Sequence, residues 1–213
     1  VRCWNYFPNI NQETNGIERY KLFCAGRHNA FSEKYKQMEK YLPAASAVGS
    51  KSGPLTINFI AARNHGGEHI ENPRQVSAYQ YPTTYGKRSP SFARATYMNW
   101  GSSKHLYLAG TASIVGYESR HFDNPLMQTQ EIRENLDSLI FNCTSTLNSG
   151  TEEVKIENAS IIKTYIRDVS SFPIIKDILE EKMAGAQSHL YLVGDICREE
   201  LLLEVEGVLS VNS

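Results

Sequence analysis

A pair of glutamates inside an apolar segment near the C-terminus constrains this chain more than any other feature. The segment reads GDICREELLLEVEG over residues 194–207. Because successive strand side chains point to opposite faces, Glu204 and Glu206 share one face with Leu202 and Val208. A carboxyl among hydrophobic neighbours loses hydration, which raises its pKa and makes Glu204 a candidate general acid. The alternative is a half-exposed strand whose glutamates face water or pair with Lys and Arg.

The composition is that of an ordinary globular protein. The 213 residues, 41% of them hydrophobic, allow a substantial core in one large domain or two small ones. A formal net charge of -1 provides no basic field, so nucleic acid is not expected as a partner. There is no apolar run long enough to cross a bilayer and no signal-peptide pattern at the N-terminus. We therefore expect a cytoplasmic protein without a membrane partner.

Neither the cysteines nor the histidines indicate a metal site. The four cysteines are Cys3, Cys24, Cys143 and Cys197. They are far apart and form no CxxC pair, which argues against a zinc ribbon or a disulfide scaffold and favours reduced thiols. His65 and His69 have the spacing of a helical metal pair, but the two glycines between them oppose a helix and a third ligand is not evident. We expect neither a metal nor a cofactor.

Hydrophobic periodicity predicts two related α/β units, over residues 1–91 and 92–213. In the first unit it predicts a helix over 17–41, with a potential break at Gly26, and strands over 45–49, 55–62 and 76–81. In the second unit it predicts strands over 93–100, 104–109, 111–116, 159–166, 189–193 and 201–209, and helices over 125–141 and 170–184. This order predicts an α/β fold of the α+β kind, a mixed sheet with helices packed on one face.

The order of motifs carries a resemblance to known families. From residue 92 onward, a hairpin, GTASIVG, a helix, KTYIRDVSSF, a second helix and the EVEG strand resemble the RidA/YjgF fold. Over nearly the whole chain, five motifs resemble the chorismatases, also called pteridine-dependent deoxygenase-like proteins. They are RCWNYFPNIN (2–11), ERYKLFCAGRHNAF (18–31), NPRQVSAYQYPTTYGKRSPSFARA (72–95), LYLAGTASIVGYESRH (106–121) and GDICREELLLEVEG. Chorismatases generally carry about a hundred further residues, the size of a small domain, before the first motif.

The resemblance implies cleavage of chorismate, a cyclohexadiene with a carboxylate, a hydroxyl and an enolpyruvyl ether, and release of pyruvate. An enol ether reacts once its terminal methylene is protonated, and Glu204 matches the catalytic acid of the family. The two substrate carboxylates require partners, and arginine meets a carboxylate with a planar, bidentate fork. The candidates are Arg94, Arg27 and Arg74, with Arg94 preferred. The alternative role of each is a salt bridge.

Two further segments are candidates for the pocket wall. Tyr79, Tyr81 and Tyr85 lie in a segment rich in Pro and Gly, where hydroxylated rings can wall a small pocket, although some of them will be structural. The segment GTASIVG lacks the lysine of a P-loop and the spacing of a dinucleotide fingerprint, so nucleotide binding is not expected. The resemblance implies instead that Gly110, Thr111 and Ala112 line the substrate pocket.

One pair of residues bears on the reaction product. Gly110 together with Cys197 resembles the branch of the family that forms 3-hydroxybenzoate more than the hydrolytic branch that forms a dihydroxycyclohexadiene carboxylate. On this interpretation Cys197 shapes the pocket, and the alternative is a free thiol in the core. A catalytically inactive relative that only binds small carboxylates is a further alternative. The fold also implies a homotrimer or a monomer with pseudo-trimeric organisation.

Overall fold

The computed structural model describes residues 1–63, 67–147 and 154–211. The strands in chain order are β1 (Arg2–Pro8), β2 (Glu13–Thr14), β3 (Ile17–Glu18), β4 (Ala44–Ser50), β5 (Thr56–Ile60), β6 (Glu68–Ile70), β7 (Ala95–Asn99), β8 (Lys104–Thr111), β9 (Ile114–Val115), β10 (Glu118–Ser119), β11 (Ala159–Ile166), β12 (His189–Val193) and β13 (Leu203–Ser210). The α-helices are α1 (Arg19–Lys34), α2 (Pro125–Thr146) and α3 (Phe172–Lys182). Short 3₁₀ helices lie at Met38–Tyr41, Ala78–Gln80, Thr83–Tyr85, Ile156–Asn158 and Val169–Ser171.

The larger sheet has six strands in the order β12-β11-β13-β8-β7-β6, so β13 lies in its interior. Strands β11 and β12 pair in parallel, and the other neighbours pair in an antiparallel manner. Helices α2 and α3 cover one face, where Leu136 and Leu179 pack with Leu203 and Val205 of β13. The predicted mixed sheet with helices on one face is therefore confirmed. Since side chains alternate along a strand, Glu204 points away from the helices.

A smaller sheet covers the opposite face. Its order is β4-β1-β5, with β1 parallel to β4 and antiparallel to β5. Ala44 of β4 packs with Met98, Tyr107 and Ala109 of the larger sheet. The face of β13 that carries both glutamates is thus enclosed between two sheets, which removes it from bulk water.

One strand of the first predicted unit belongs to the larger sheet. Strand β6 pairs with β7 in an antiparallel manner, with Ile70 opposite Ala95. Strand β6 was not among the predicted strands, and neither was β1. The first 91 residues therefore contribute to both sheets, and β6 closes one edge of the sheet that holds the glutamates.

Several predicted elements are confirmed, some of them with shifted ends. The strands at 159–166 and 189–193 have the predicted bounds. Helix α2 begins at the predicted Pro125, where the Asn124 side chain accepts a hydrogen bond from the Met127 N–H at 3.0 Å, and it extends further, to Thr146. Helix α1 ends at Lys34 and runs through Gly26 without a break.

Two predicted strands are wrong. Residues 76–81 contain a 3₁₀ helix instead, because the Gln80 N–H bonds the Ser77 carbonyl and the Tyr81 N–H bonds the Ala78 carbonyl. Residues 111–116 do not form one strand. Strand β8 extends to Thr111, and the two-residue strand β9 then pairs with β10.

The structure describes only some of the residues on which the predicted absence of a metal site depends. Asn64, His65 and Gly66 lie outside the described residues, so the prediction for His65 lies outside them as well. Within the described ranges, His, Cys, Asp and Glu form no group of three or more that could hold a metal ion. In the same ranges, none of the helices combines the length and apolar character that a membrane span requires.

Candidate active site

A cavity of about 310 Å³ lies between the two sheets and helix α1. This volume is typical of a site for a small molecule. Strands β8 and β13 form its floor, α1 and β4 form two sides, and residues 81–94 cover the remaining side. The cavity is therefore built from segments that are distant in the sequence, among them the N-terminal helix and the last strand.

Glu204 lies on the floor of this cavity. Its exposed fraction is 4%, and Oε1 is buried without a hydrogen-bond partner among the described residues. The pKa of Glu204 is raised to about 8, mainly by burial and also by the negative charge of Glu206, while Arg2 and Arg94 act in the opposite direction. The alternative of a half-exposed strand is thus wrong for this position. The carboxyl holds its proton at neutral pH and can donate it to a bound molecule.

Gly110 provides the space that the Glu204 side chain occupies. A β-bulge in β8 sets two residues, Ala109 and Gly110, opposite the single residue Glu206, between the pairs Val205–Thr111 and Gly207–Leu108. A methyl group at Gly110 would overlap the Glu204 carboxyl. The glycine is required here for close approach, because the acid fills the volume of a β-carbon.

Arg94 lies just before β7 and is 3% exposed. Its Nη2 donates to the Tyr81 hydroxyl at 2.7 Å and to the Val76 carbonyl at 3.0 Å, and the guanidinium carbon lies 5.1 Å from the Phe92 ring centre. Nε is buried without a partner among the described residues. A rigid arginine with an unused N–H in a cavity is suited to bind a carboxylate.

Arg27 approaches the cavity from helix α1. Its Nε donates to the Ser91 carbonyl at 3.0 Å, while Nη2 is buried without a partner in the described part of the chain. The Ser91 hydroxyl is likewise unpaired there. Together with Arg94 Nε and Glu204 Oε1, four buried polar atoms of the cavity wall lack partners within the described ranges. Buried polar groups are normally satisfied, so a polar ligand with several oxygens fits this site.

The comparisons with known proteins agree with this geometry. Residues 1–61 match the family described as chorismatase FkbO/Hyg5-like, N-terminal. A 3-hydroxybenzoate synthase of Streptomyces hygroscopicus is 36% identical over 98% of this chain and 62% of its own length. A crystal structure of a chorismatase matches 98% of this chain and 63% of that chain with a TM-score of 0.90 and 32% identity. Over nearly its whole length, this chain is similar to the chorismatases.

The similarity to chorismatases covers nearly all of this chain but only part of each relative. A chorismatase of Streptomyces hygroscopicus is 31% identical over 99% of this chain and 61% of its own length, so the chain spans about three fifths of the relatives it matches. The structure of a candidate endoribonuclease from Thermotoga maritima, 9% identical, matches 68% of this chain with a TM-score of 0.51, a likeness of fold alone. The predicted fold class, a mixed sheet with helices packed on one face, is confirmed.

Arg198 is a cavity residue that the sequence analysis missed. Its guanidinium carbon lies 3.9 Å from the Tyr85 ring centre and 5.3 Å from that of Tyr81. Nη1 donates to the Tyr117 carbonyl at 2.9 Å and to Ser119 Oγ at 3.0 Å. Tyr81 and Tyr85 line the cavity wall, where the sequence predicted them. The Arg198 guanidinium packs against both rings. Its position beside Cys197, in the same motif, was the available signal.

Cys197, Gly110 and Ala112 also line the cavity. The hydroxyl of Tyr20, another residue that the sequence analysis missed, is hydrogen-bonded to Cys24 and to Cys197. Burial raises the pKa of the Cys197 thiol far above its ordinary value and that of Cys24 to about 12. Both thiols are neutral, so they shape the cavity and do not act as thiolate nucleophiles.

Three predicted site residues lie outside the cavity. Arg74 pairs with Glu131 and, at 2.7 Å, with Glu134 of α2, so its alternative role as a salt bridge applies. Thr111 is buried on the opposite face of β8 from Gly110, and its hydroxyl donates to the Ala109 carbonyl at 3.2 Å. Tyr79 is half-buried in the 3₁₀ helix and is not part of the cavity wall, because the turn directs Tyr81 inward instead.

Proposed function

We propose that this chain carries the chorismate-cleaving site of a chorismatase and releases pyruvate and 3-hydroxybenzoate, with Glu204 as the general acid. The observation that carries the proposal is the buried Glu204 carboxyl on the floor of a cavity lined by arginines. Its pKa is raised to about 8, and Oε1 has no partner in the described part of the chain. The printed names of the relatives, 3-hydroxybenzoate synthase and chorismatase, support the same reaction class.

The proposed reaction begins with transfer of the Glu204 proton to the terminal methylene of the enolpyruvyl ether. This step creates an oxocarbenium ion and leaves Glu204 as a carboxylate that stabilises it. The neighbouring ring hydroxyl then attacks the ring carbon that bears the ether, the ether bond breaks with its oxygen leaving in pyruvate, and the hydroxyl proton returns to the Glu204 carboxylate. The ring epoxide formed in this step isomerises to 3-hydroxybenzoate without gain or loss of atoms. Pyruvate and 3-hydroxybenzoate together contain all the atoms of chorismate, so this branch consumes no water and involves no net oxidation or reduction.

Two arginines are the proposed carboxylate partners. Arg94 and Arg27 each have a buried N–H without a partner among the described residues, and both line the cavity. Each N–H that meets a carboxylate oxygen gains a charge-assisted hydrogen bond, which is about twice as strong as a neutral one. The Ser91 hydroxyl and the rings of Tyr81 and Tyr85 complete the polar and aromatic walls around the substrate.

The choice of the 3-hydroxybenzoate branch is also a proposal. Support comes from Gly110 and Cys197, which both line the cavity, and from the 36% identity to a protein named 3-hydroxybenzoate synthase. A neutral thiol at position 197 presents an apolar surface rather than a base that could activate water. The hydrolytic branch, which consumes one water and forms a dihydroxycyclohexadiene carboxylate, is the alternative outcome.

Product analysis after incubation with chorismate tests the proposal. We expect pyruvate, quantified with lactate dehydrogenase, and an equal amount of 3-hydroxybenzoate, identified by liquid chromatography and mass spectrometry. A dihydroxycyclohexadiene carboxylate in place of the aromatic product would reject the branch and retain the acid role of Glu204. If the folded chain binds chorismate in a calorimetric titration and releases no pyruvate, the catalytic proposal fails and a carboxylate-binding protein is the correct reading.

The organisation and location of the protein are proposals of the same kind. We propose a cytoplasmic location, a division into units at residues 1–91 and 92–213, and a trimeric or pseudo-trimeric arrangement as in RidA-like folds. Light scattering of the purified chain distinguishes a trimer from a monomer. Fractionation of the producing cells tests the location.

A further inference from the structure

Two carboxyl groups on one face of β13 have opposite surroundings. Glu204 and Glu206 are two residues apart, which places their α-carbons about 7 Å apart on the same side of the strand. Both are buried, with exposed fractions of 4% and 2%. Glu204 Oε1 faces the cavity without a partner among the described residues, whereas both oxygens of Glu206 are surrounded by donors.

The carboxyl of Glu206 is hydrogen-bonded by five side chains. The donors to Oε1 are Trp4 Nε1 at 3.0 Å, the Tyr165 hydroxyl at 3.0 Å and Lys163 Nζ at 3.2 Å, and the donors to Oε2 are Arg2 Nη2 at 2.6 Å and the Ser46 hydroxyl. Trp, Lys and Arg side chains can only donate, so the carboxyl must accept from all three. A carboxylate can accept all five of these hydrogen bonds at once, so the arrangement stabilises the negative charge of Glu206.

The ion pair of Arg2 with Glu206 is buried between the two sheets, where both charges lose their hydration. Arg2 is 1% exposed, and its guanidinium carbon lies 4.8 Å from the Trp4 ring centre. The desolvation of a buried pair typically cancels most of its attraction, so such a pair adds little to stability. Its position directly beside Glu204 suits a different purpose, the control of charge at the cavity floor.

Several titratable or charged groups face Glu204 from the surrounding elements. They are Glu206 on β13, Arg2 on β1, Arg94 before β7, Tyr20 on α1, Tyr165 on β11 and the Cys197 thiol before β13. Burial keeps the tyrosines and the thiol neutral. Burial is the largest cause of the raised pKa of Glu204. The remaining effect of charge on that pKa depends on Glu206, which raises it, and on the two arginines, which lower it.

We propose that Glu206 is a positioning residue for the acid: its fixed negative charge offsets Arg2 and Arg94 and keeps the proton on Glu204 until a substrate is bound. The proposal rests on the acid role of Glu204 proposed above and adds the device that maintains it. Paired carboxyls with different surroundings divide the roles of acid and fixed anion in the same manner in other enzymes. The binding of an anionic substrate to Arg94 reinforces the effect of Glu206.

The test compares the titration of Glu204 in two variants of opposite sign. Glu206→Gln keeps the shape and removes the negative charge, and Lys163→Met removes a positive charge that is 25% exposed beside Glu206. Titration of ¹³C-labelled glutamate carboxyls by NMR, with Glu204→Gln to assign the resonance, gives the pKa of Glu204 without any substrate. We expect a decrease of about one unit in Glu206→Gln and an increase of a few tenths of a unit in Lys163→Met.

If Glu206 had only a structural role, the pKa of Glu204 would not shift in opposite directions in these two variants. If folded Glu206→Gln titrates like the wild type, the proposal is overturned. If Glu206→Gln does not fold, Lys163→Met decides, and an unchanged pKa of Glu204 in that variant overturns it. Because the titration needs no turnover, absence of pyruvate release with intact opposite shifts rejects the proposed reaction and leaves the role of Glu206 standing.

Discussion

The floor of the cavity and its opposite wall are built by different principles. The floor consists of β8 and β13, which lie inside a six-stranded sheet and hold Glu204 by strand register and a bulge. The opposite wall consists of residues 81–94 and 198, in which stacked tyrosines and arginines replace a hydrogen-bonded ladder. The comparison teaches that the reactive proton is held by the scaffold, while recognition of charge and shape is assigned to connecting segments.

The floor should carry the largest effect, through Glu204→Gln. Because the amide keeps the shape but cannot supply the proton, we expect kcat for pyruvate release to decrease by about a hundredfold to ten-thousandfold. The affinity for 3-hydroxybenzoate, measured by calorimetry, should stay within about threefold, since the proposed partners of its carboxylate lie on the opposite wall. Equal activity of this variant and the wild type would remove Glu204 from the mechanism.

The opposite wall should carry the next largest effect, through Arg94→Met. Loss of a charge-assisted hydrogen bond to a carboxylate costs about 1.5–3 kcal/mol, so we expect kcat/KM to fall by about 10-fold to 150-fold, mainly through KM. Arg74→Met is the matched control, because Arg74 pairs with Glu131 and Glu134 outside the cavity. The control should keep its KM and lose at most about 1 kcal/mol of stability. A rise in KM for both variants would contradict the assignment of the wall.

The contact between the two strands of the floor is tested by Gly110→Ala. The added methyl group overlaps the Glu204 carboxyl, so the acid must move, and we expect kcat to fall by about tenfold and stability by about 1–3 kcal/mol. Gly26→Ala is the control, because no atom within 4 Å would obstruct its β-carbon and it lies inside helix α1. This control should gain about 0.5–1 kcal/mol on thermal unfolding. If Gly110→Ala changed neither kcat nor stability, the floor would be less tightly packed than described.

The smallest effect is the pH dependence of kcat/KM and of stability. It reports the protonation of Glu204 on the floor and not the charges of the arginines on the wall. With a Glu204 pKa of about 8, kcat/KM should be halved near that pH and should fall about tenfold for each further pH unit. Burial of the neutral form stabilises the folded state below the ordinary pKa of 4.5, and this contribution is lost as pH rises toward 8. Relative to Glu204→Gln, the wild type should therefore lose stability across that range in denaturant titrations. A flat difference would contradict the raised pKa.

The floor was more predictable than the wall, and the reason is the range of the interactions. Alternation along a strand is a local rule, so the shared face of Glu204 and Glu206 follows from sequence. The role of Arg74 depends on Glu131, 57 positions away, and no local rule distinguishes its salt bridge from a substrate contact. Strand β1 escaped prediction because the buried Arg2 reads as a surface residue until its partner Glu206 is known.

The resemblance of motifs supplied what periodicity could not. It indicated Arg94 and Arg27, which reach the cavity, but it also indicated Tyr79 and Thr111, which do not. A motif assigns a segment to a site and leaves open which side chains of the segment point inward. Arg198 shows the converse, because it lies within a quoted motif yet becomes recognisable only when its stacking on Tyr85 is seen.

The contact of Arg2 with Glu206 joins residues 204 positions apart. Closing such a long loop is entropically costly and slows folding, so this contact belongs among the late steps of maturation. During synthesis on the ribosome, the arginine-bearing segments emerge well before β13. Arg27 and Arg94 therefore precede Glu204 in synthesis, and the floor of the cavity is complete only when β13 has paired with β8 and β11.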